Sequence, residues 1–68
     1  MKIYYDPKVD ALDIVFKIGK VRKTEEIGPE VFLDVDEKGN PLSLEILGAS
    51  KRYQLAELKS IKEEKLVH

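Results

Sequence analysis

Carboxylates are the side chains whose type and spacing in this sequence could perform chemistry. Three aspartates fall within eight residues near the start of the chain, at Asp6, Asp10 and Asp13. Such a group could hold a divalent cation or supply an acid/base residue, but it lacks the D-x-D-x-D-G spacing of a calcium loop. Asp6 also precedes Pro7, where aspartate favours a turn. We therefore expect Asp6 and Asp10 to bracket a turn and Asp13, between apolar neighbours, to face solvent.

A second group of carboxylates lies in the middle of the chain. Asp34 and Asp36 are two residues apart on a predicted strand, which predicts that they share a face, and Glu45 and Asp13 could join them. Two carboxylates on a sheet could act as general acid and base, or hold Mg²⁺ with waters. The solvated face of a half-buried sheet requires polar residues in any case. Solvation is the favoured interpretation, and binding of a divalent metal or small ligand, with or without catalysis, is the alternative.

The sequence contains few residues that could act in nucleophilic catalysis. There is no cysteine, which excludes disulfides and thiolate zinc sites, and the single histidine is His68. The serines at 43, 50 and 60 have no activating base nearby in the sequence, and no phosphate-binding glycine motif is present. The sequence therefore predicts a protein that is not an enzyme, with no catalytic residue, no metal ligand and no cofactor.

Charge is abundant and balanced, with 12 basic and 13 acidic residues and a net charge of −1. This balance gives no long-range field toward nucleic acid or an anionic membrane. The segment Lys51–Tyr53, with Lys20, Arg22 and Lys23, could bind an acidic partner, but Glu25 and Glu26 dilute its charge and solvated surface is the favoured interpretation. No signal peptide or membrane-spanning run is recognisable, so we expect a cytoplasmic protein. Lysine and glutamate enrichment without cysteine or tryptophan is typical of heat-adapted proteins.

Strands are the elements that must position these side chains. Alternating or β-branched segments predict strands at about residues 2–5, 11–16, 21–27, 30–36 and 41–47. A four-residue loop over 37–40 would set Leu33 opposite Leu44 and Val35 opposite Leu42, which keeps one face apolar. After Gly48 the period becomes helical, and apolar residues at 55, 58, 61 and 66 predict a helix over about 50–64.

The predicted fold is a small two-layer α+β domain covering residues 1–68. It has a four- or five-stranded antiparallel meander sheet with one C-terminal helix packed on one face. The outward positions are mostly polar but include Tyr4, Val15, Phe32 and Leu47, which would form an apolar patch on the face that the helix leaves open. A chain of this length buries only about 60% of its unfolded surface. We therefore expect a homodimer, or a complex with a partner protein, formed through the open sheet face.

Two long segments, MKIYYDPKVDALDI and EEIGPEVFLDVDEKGNPLSLEILGASKR, together resemble the domain of unknown function 2283 family of small prokaryotic proteins. The likeness spans roughly residues 1–53. It departs from the family pattern at Asp13, where an aromatic residue is usual, and at Pro41 and Ser43. The matching positions are Tyr5, Asp6, Asp10, Ala11, Leu12, Ile14, Asp34, Gly39, Glu45, Ile46, Ala49 and Ser50. The resemblance implies a small β-rich domain without recognised catalytic residues. Because some members lie beside small toxin-like genes, it also suggests an antitoxin-like partner role.

Overall fold

The computed structural model describes residues 1–61, which form a five-stranded antiparallel sheet with a short helix packed on it. A 3₁₀ turn at Ala49–Lys51 and helix α1 at Leu55–Lys59 follow the last strand. The strands are β1 Lys2–Asp6, β2 Ala11–Val15, β3 Lys23–Gly28, β4 Val31–Val35 and β5 Pro41–Leu47. The predicted α+β class, an antiparallel sheet with a C-terminal helix, is confirmed.

The strand order is β1-β2-β5-β4-β3, so β2 and β3 are consecutive in sequence but are not neighbours in the sheet. The segment that joins them, residues 16–22, passes the ends of β5 and β4; we call it the crossing loop. Backbone hydrogen bonds fix both of its ends. The N–H groups of Phe16 and Lys17 donate to the Leu42 carbonyl at 2.8 and 3.2 Å, and the Arg22 N–H donates to the Val35 carbonyl at 2.7 Å.

The core lies on one face of the sheet and is closed from both ends. Leu12, Ile46, Ala49 and Leu58 form the buried cluster beside the 3₁₀ turn and α1. Leu42 is 3% exposed near the crossing loop. A Cβ atom at Gly19 would lie 3.1 Å from a Leu42 methyl group, so the loop packs directly on this leucine. The core face is thus covered by the helical segment at one end and by the crossing loop at the other.

The β4–β5 turn differs from the predicted register in one place. Leu33 lies opposite Leu44, as predicted, but a bulge after Asp34 pairs Val35 with Pro41 instead of Leu42.

The physical reason is Asp36, which lies beyond the end of β4 and organises the turn. Its Oδ1 accepts hydrogen bonds from the N–H groups of Lys38 and Asn40, each at 2.9 Å. The prediction that Asp36 shares a strand face with Asp34 is therefore wrong.

The helical segment is shorter than the predicted helix over 50–64. The N–H groups of Arg52 and Tyr53 both donate to the Ala49 carbonyl, which closes a tight turn, and Gln54 is extended with ψ 136° before α1 begins. Leu58 is 2% exposed and faces the core, whereas Leu55 is 46% exposed instead of packing as predicted. Residue 66 and the predicted helix end at 64 lie outside the described residues. No helix in the described part of the chain is long and apolar enough to cross a membrane.

Candidate interaction surface on the open sheet face

The face of the sheet opposite the core, which we call the open face, carries an ordered row of aromatic and acidic side chains. Tyr4 lies opposite Asp13, Asp13 opposite Glu45, and Glu45 opposite Phe32. These four residues form what we call the central row, which crosses β1, β2, β5 and β4. Because neighbouring strands lie about 4.8 Å apart, the two aromatic residues are separated by roughly 14 Å with both carboxylates between them.

The four apolar residues predicted as a partner interface all lie on the open face. Tyr4 and Phe32 end the central row, Val15 lies opposite Ser43, and Leu47 lies opposite Ala11. All four side chains are half-buried. Val15 lies diagonally across from Tyr4 and Leu47 diagonally across from Phe32, and the carboxylates of Asp13 and Glu45 lie between these two pairs.

The carboxylates of Asp13 and Glu45 lie opposite each other, and no cation of residues 1–61 forms an ion pair with either. Burial, with the Asp34 charge nearby, raises the pKa of Asp13 above its ordinary value. Burial also raises the pKa of Glu45, with further contributions from the charges of Asp13 and Asp34. Neither carboxylate forms a side-chain hydrogen bond or an ion pair within residues 1–61. Like charges directly opposite on neighbouring strands are destabilising.

Asp34, on the same face, is in a different environment. Its Oδ1 accepts a hydrogen bond from the Thr24 hydroxyl at 2.5 Å, and its Oδ2 accepts one from the Ser43 hydroxyl at 2.9 Å. These two donors occupy both oxygens, and the Asp34 charge contributes to the raised pKa values of Asp13 and Glu45 on the open face.

The carboxylate set that the sequence offered as a metal or ligand site, Asp34 with Asp36 and Glu45, is not assembled. Asp36 is held in the β4–β5 turn, where hydrogen bonds led by that of the Asn40 N–H lower its pKa. Within residues 1–61, no three histidine, cysteine or acidic residues converge in a way that could hold a metal ion.

Asp10 has a structural role that the sequence interpretation missed. Its carboxylate accepts hydrogen bonds from the Tyr5 hydroxyl at 2.5 Å and from the Ser50 N–H and hydroxyl at 3.0 and 2.8 Å. Its backbone carbonyl accepts the Ala49 N–H at 3.0 Å. We call Tyr5, Asp10 and Ser50 the Asp10 clamp. It ties β1 and the first turn to the 3₁₀ turn.

The Asp10 clamp also sets the ionisation of its members. The hydrogen bonds from Tyr5 and then Ser50 lower the pKa of Asp10, and the same bond raises the pKa of Tyr5 to about 12. Ser50 is 40 residues away in sequence, so turn chemistry alone gives no reason to pair it with Asp10. The available signal was that all three residues belong to the pattern shared with the family.

A family profile described as "Protein of unknown function (DUF2283)" matches residues 2–50, more than half of the chain. The protein belongs to the DUF2283 family. No curated protein and no solved structure matches it.

The family match covers the sheet of this DUF2283 protein but assigns no activity to it. The matched range contains all five strands and ends at Ser50, so it includes every member of the Asp10 clamp. It also includes the whole central row, whose Asp13 departs from the family pattern. The residues of the Asp10 clamp stabilise the fold through their hydrogen bonds. The carboxylates of the central row form no hydrogen bond or ion pair of this kind among residues 1–61.

Proposed function

We propose that this DUF2283 protein is a non-enzymatic interaction module that binds a partner protein through the open face. The observation that carries the proposal is the central row, in which two carboxylates with no hydrogen-bond or ion-pair partner among residues 1–61 lie between two aromatic rings. Neither the 3₁₀ turn nor α1 covers this side, because both pack on the opposite face. An arrangement that costs stability in the free protein has a use if a partner compensates it.

Charge complementarity favours, as the partner, a protein surface with an arginine or lysine between apolar side chains. A cation over the centre of the row could pair with Asp13 and Glu45 and lie against the face of Tyr4 or Phe32. The ring of Tyr4 already attracts a cation, since the Lys2 ammonium lies 4.7 Å from its centroid. An antitoxin-like role would be one form of this proposal, with a cationic toxin surface as the partner.

Photo-cross-linking from single positions in the intact protein tests this proposal. A photoreactive residue at Phe32 should capture a protein whose cross-linked segment contains arginine or lysine. The same residue at Leu55, an exposed position on α1, is the matched control. Glu45→Lys should abolish capture at position 32, and Glu57→Lys should leave it unchanged. Capture from both positions, or insensitivity to Glu45→Lys, would refute the open face as the binding surface.

A second copy of this chain is the other occupant to consider, because a homodimer would cover the four apolar residues of each copy. Two open faces related by a two-fold axis would bring their acidic centres together, and like-charge contacts across an interface cost several kcal/mol. Such a dimer would have to take up protons at Asp13 and Glu45. It should therefore strengthen as the pH falls toward 5, which sedimentation at pH 5 and pH 7.5 would measure.

Binding of a divalent cation by the open face is the second candidate function. It is motivated by the position of Asp13, Asp34 and Glu45 on this face; because they do not converge as direct ligands of one ion, a cation would be held through its hydration waters. Titration calorimetry with Mg²⁺, Mn²⁺ and Ca²⁺ tests it. Heat of binding that disappears in Asp13→Asn would support a metal site, and the absence of heat from all three cations would exclude it.

A further inference from the structure

A cleft of about 420 Å³ lies between the crossing loop and the β4–β5 turn. It exists because the chain passes the ends of β5 and β4 on its way to β3, which places the loop beside the turn. Its lining residues are Lys17, Lys20, Val21 and Arg22 from the loop and Asp36, Glu37, Lys38 and Asn40 from the turn. None of them belongs to the central row, so the cleft is separate from the surface proposed above.

The cleft carries an excess of positive charge. Four of its lining residues are cationic and two are acidic, although the whole chain has a net charge of −1. The carboxylate of Asp36 is occupied by the turn, where it accepts bonds from Lys38 N at 2.9 Å and from Asn40 N and Nδ2 at 2.9 and 3.4 Å. Only the carboxylate of Glu37 lacks such bonds.

The four cations of the cleft form no ion pair with any carboxylate of residues 1–61. The ion pairs in that part of the chain join Lys23 to Glu25 and Lys51 to Glu30, and neither involves a cleft cation. Cations gathered from two segments around one concavity repel each other unless an anion lies between them. The crossing loop is held by backbone hydrogen bonds at both ends, so its cations are kept beside the turn.

We propose that this cleft binds a small molecule carrying two adjacent phosphate groups. Four cations against two carboxylates leave a formal excess of two positive charges, which matches a ligand with at least two negative charges. Arg22 offers a guanidinium fork that suits phosphate oxygens, and the lysines supply point charges. The volume lies within the usual range for small-molecule sites. Val21, 47% exposed, provides an apolar wall for an organic group attached to the phosphates.

Titration of the isotope-labelled intact protein with inorganic pyrophosphate tests the site without any substitution. Amide resonances of residues 17–22 and 36–40 should shift with one saturable dissociation constant, while those of β1 and the first turn should not. Binding should weaken as salt rises from 50 to 200 mM, because it is driven by charge. No saturable shift at 50 mM salt, or equal shifts over the whole surface, would overturn the proposal.

Charge-reversal variants test whether the cations of the cleft bind the pyrophosphate. Lys17→Glu combined with Arg22→Glu should weaken pyrophosphate binding at least about tenfold, since two charge-assisted contacts are replaced by repulsion. Lys8→Glu in the first turn is the matched control and should change affinity less than about twofold. Circular dichroism checks that both variants fold. Equal losses in the two variants would overturn the site.

Two further ligands identify the anion chemistry. Sulfate at equal ionic strength should bind much more weakly than pyrophosphate, and equal binding would show a general counterion effect and refute a diphosphate site. Tighter binding of ADP than of pyrophosphate would support the site and assign it to a nucleotide. Equal affinity would support the site and assign recognition to the phosphates alone. These results do not depend on the cross-linking experiment at the open face.

Discussion

At Asp10, one carboxylate receives hydrogen bonds from two separate parts of the chain, from Tyr5 in β1 and from Ser50 in the 3₁₀ turn. It lies in the left-handed region with φ 57°, which aspartate tolerates better than most residues. Asp6 acts more locally, accepting the Lys8 N–H at 2.9 Å, so the predicted turn role of Asp6 is confirmed. Asp13, three residues beyond Asp10, has no such donor among residues 1–61. Residue type alone therefore does not show which aspartate stabilises the fold, because that depends on the donors that the fold brings to it.

Replacing Asp10 by alanine should destabilise the protein strongly, because the Tyr5 hydroxyl and both donors of Ser50 lose their acceptor. We expect the thermal midpoint to fall by roughly 5–10 °C in a domain of this size. Asp6→Ala, which removes one local turn bond, should lower it by less. Circular dichroism melts of both variants at pH 7 measure the difference. Equal shifts would show that the Asp10 clamp does not hold the 3₁₀ turn.

At the scale of elements, α1 has only five residues and is held on the sheet chiefly by Leu58. The sequence predicted a C-terminal helix packed on the sheet, but it placed the start of the helix too early and counted Leu55 among the packed residues. Ser50 is bound to Asp10, and the tight turn on Ala49 directs the chain away before a helix can begin. A helix this short is not stable by itself, so packing determines where it forms.

Leu58→Ala should therefore cost about 2–4 kcal/mol of unfolding free energy, the range for removing a buried leucine side chain. Leu55→Ala on the same helix is the matched control and should change stability by less than about 0.5 kcal/mol, because that side chain is 46% exposed. Urea unfolding measures both. Similar costs for the two variants would mean that α1 packs through a different side.

Removing a carboxylate of the central row should have the opposite effect and stabilise the free protein. Asp13→Asn should stabilise the free protein at pH 7 by a few tenths of a kcal/mol, because it removes a like charge opposite Glu45 in a solvent-screened position. The same variant should weaken capture of the partner from position 32. Glu57→Gln on α1 should change neither quantity. Lower stability in Asp13→Asn, measured by urea unfolding, would contradict the uncompensated pair.

At the scale of the whole molecule, four carboxylates of residues 1–61 fall into two groups with opposite effects on the pH dependence of stability. Asp10 and Asp36 have lowered pKa values, so their contribution is present above the ordinary aspartate value of 3.8 and is lost as the pH falls through the folded value. Asp13 and Glu45 have raised values, so their contribution is present below the ordinary values of 3.8 and 4.5 and is lost as the pH rises.

Stability should therefore be highest near the ordinary pKa values of about 4, fall modestly as the pH rises through the raised folded values of Asp13 and Glu45, and fall as the pH drops through the lowered values of Asp10 and Asp36. Urea midpoints at pH 7.5, 5, 4 and 3 measure this profile. The Asp13→Asn, Glu45→Gln double variant should lose the decline above pH 4 and keep the decline below it. A wild-type midpoint that decreases continuously from pH 7.5 to pH 4 would contradict the assignment of the two groups.

Successive side chains of a strand point to opposite faces of the sheet, and this alternation can be read from each strand separately. The fold class follows from it, as does the position of Tyr4, Val15, Phe32 and Leu47 on one face. The central row does not follow from it. Asp13 meets Glu45 only because β2 pairs with β5, and no pattern along the chain specified that neighbour. The cationic cleft was missed for the same reason, since its two sides meet only where the crossing loop passes the turn.

That crossing also has a consequence for how the protein folds. The β1–β2 hairpin and the β3–β4–β5 meander each contain only pairings between strands adjacent in sequence. The β2–β5 ladder and the bonds from Ser50 to Asp10 join these two units across long stretches of chain. Closing a long loop costs chain entropy before the contacts that it brings together can form, so long-range pairings form slowly. We therefore expect the rate-limiting step of folding to be the docking of two partly formed hairpin units.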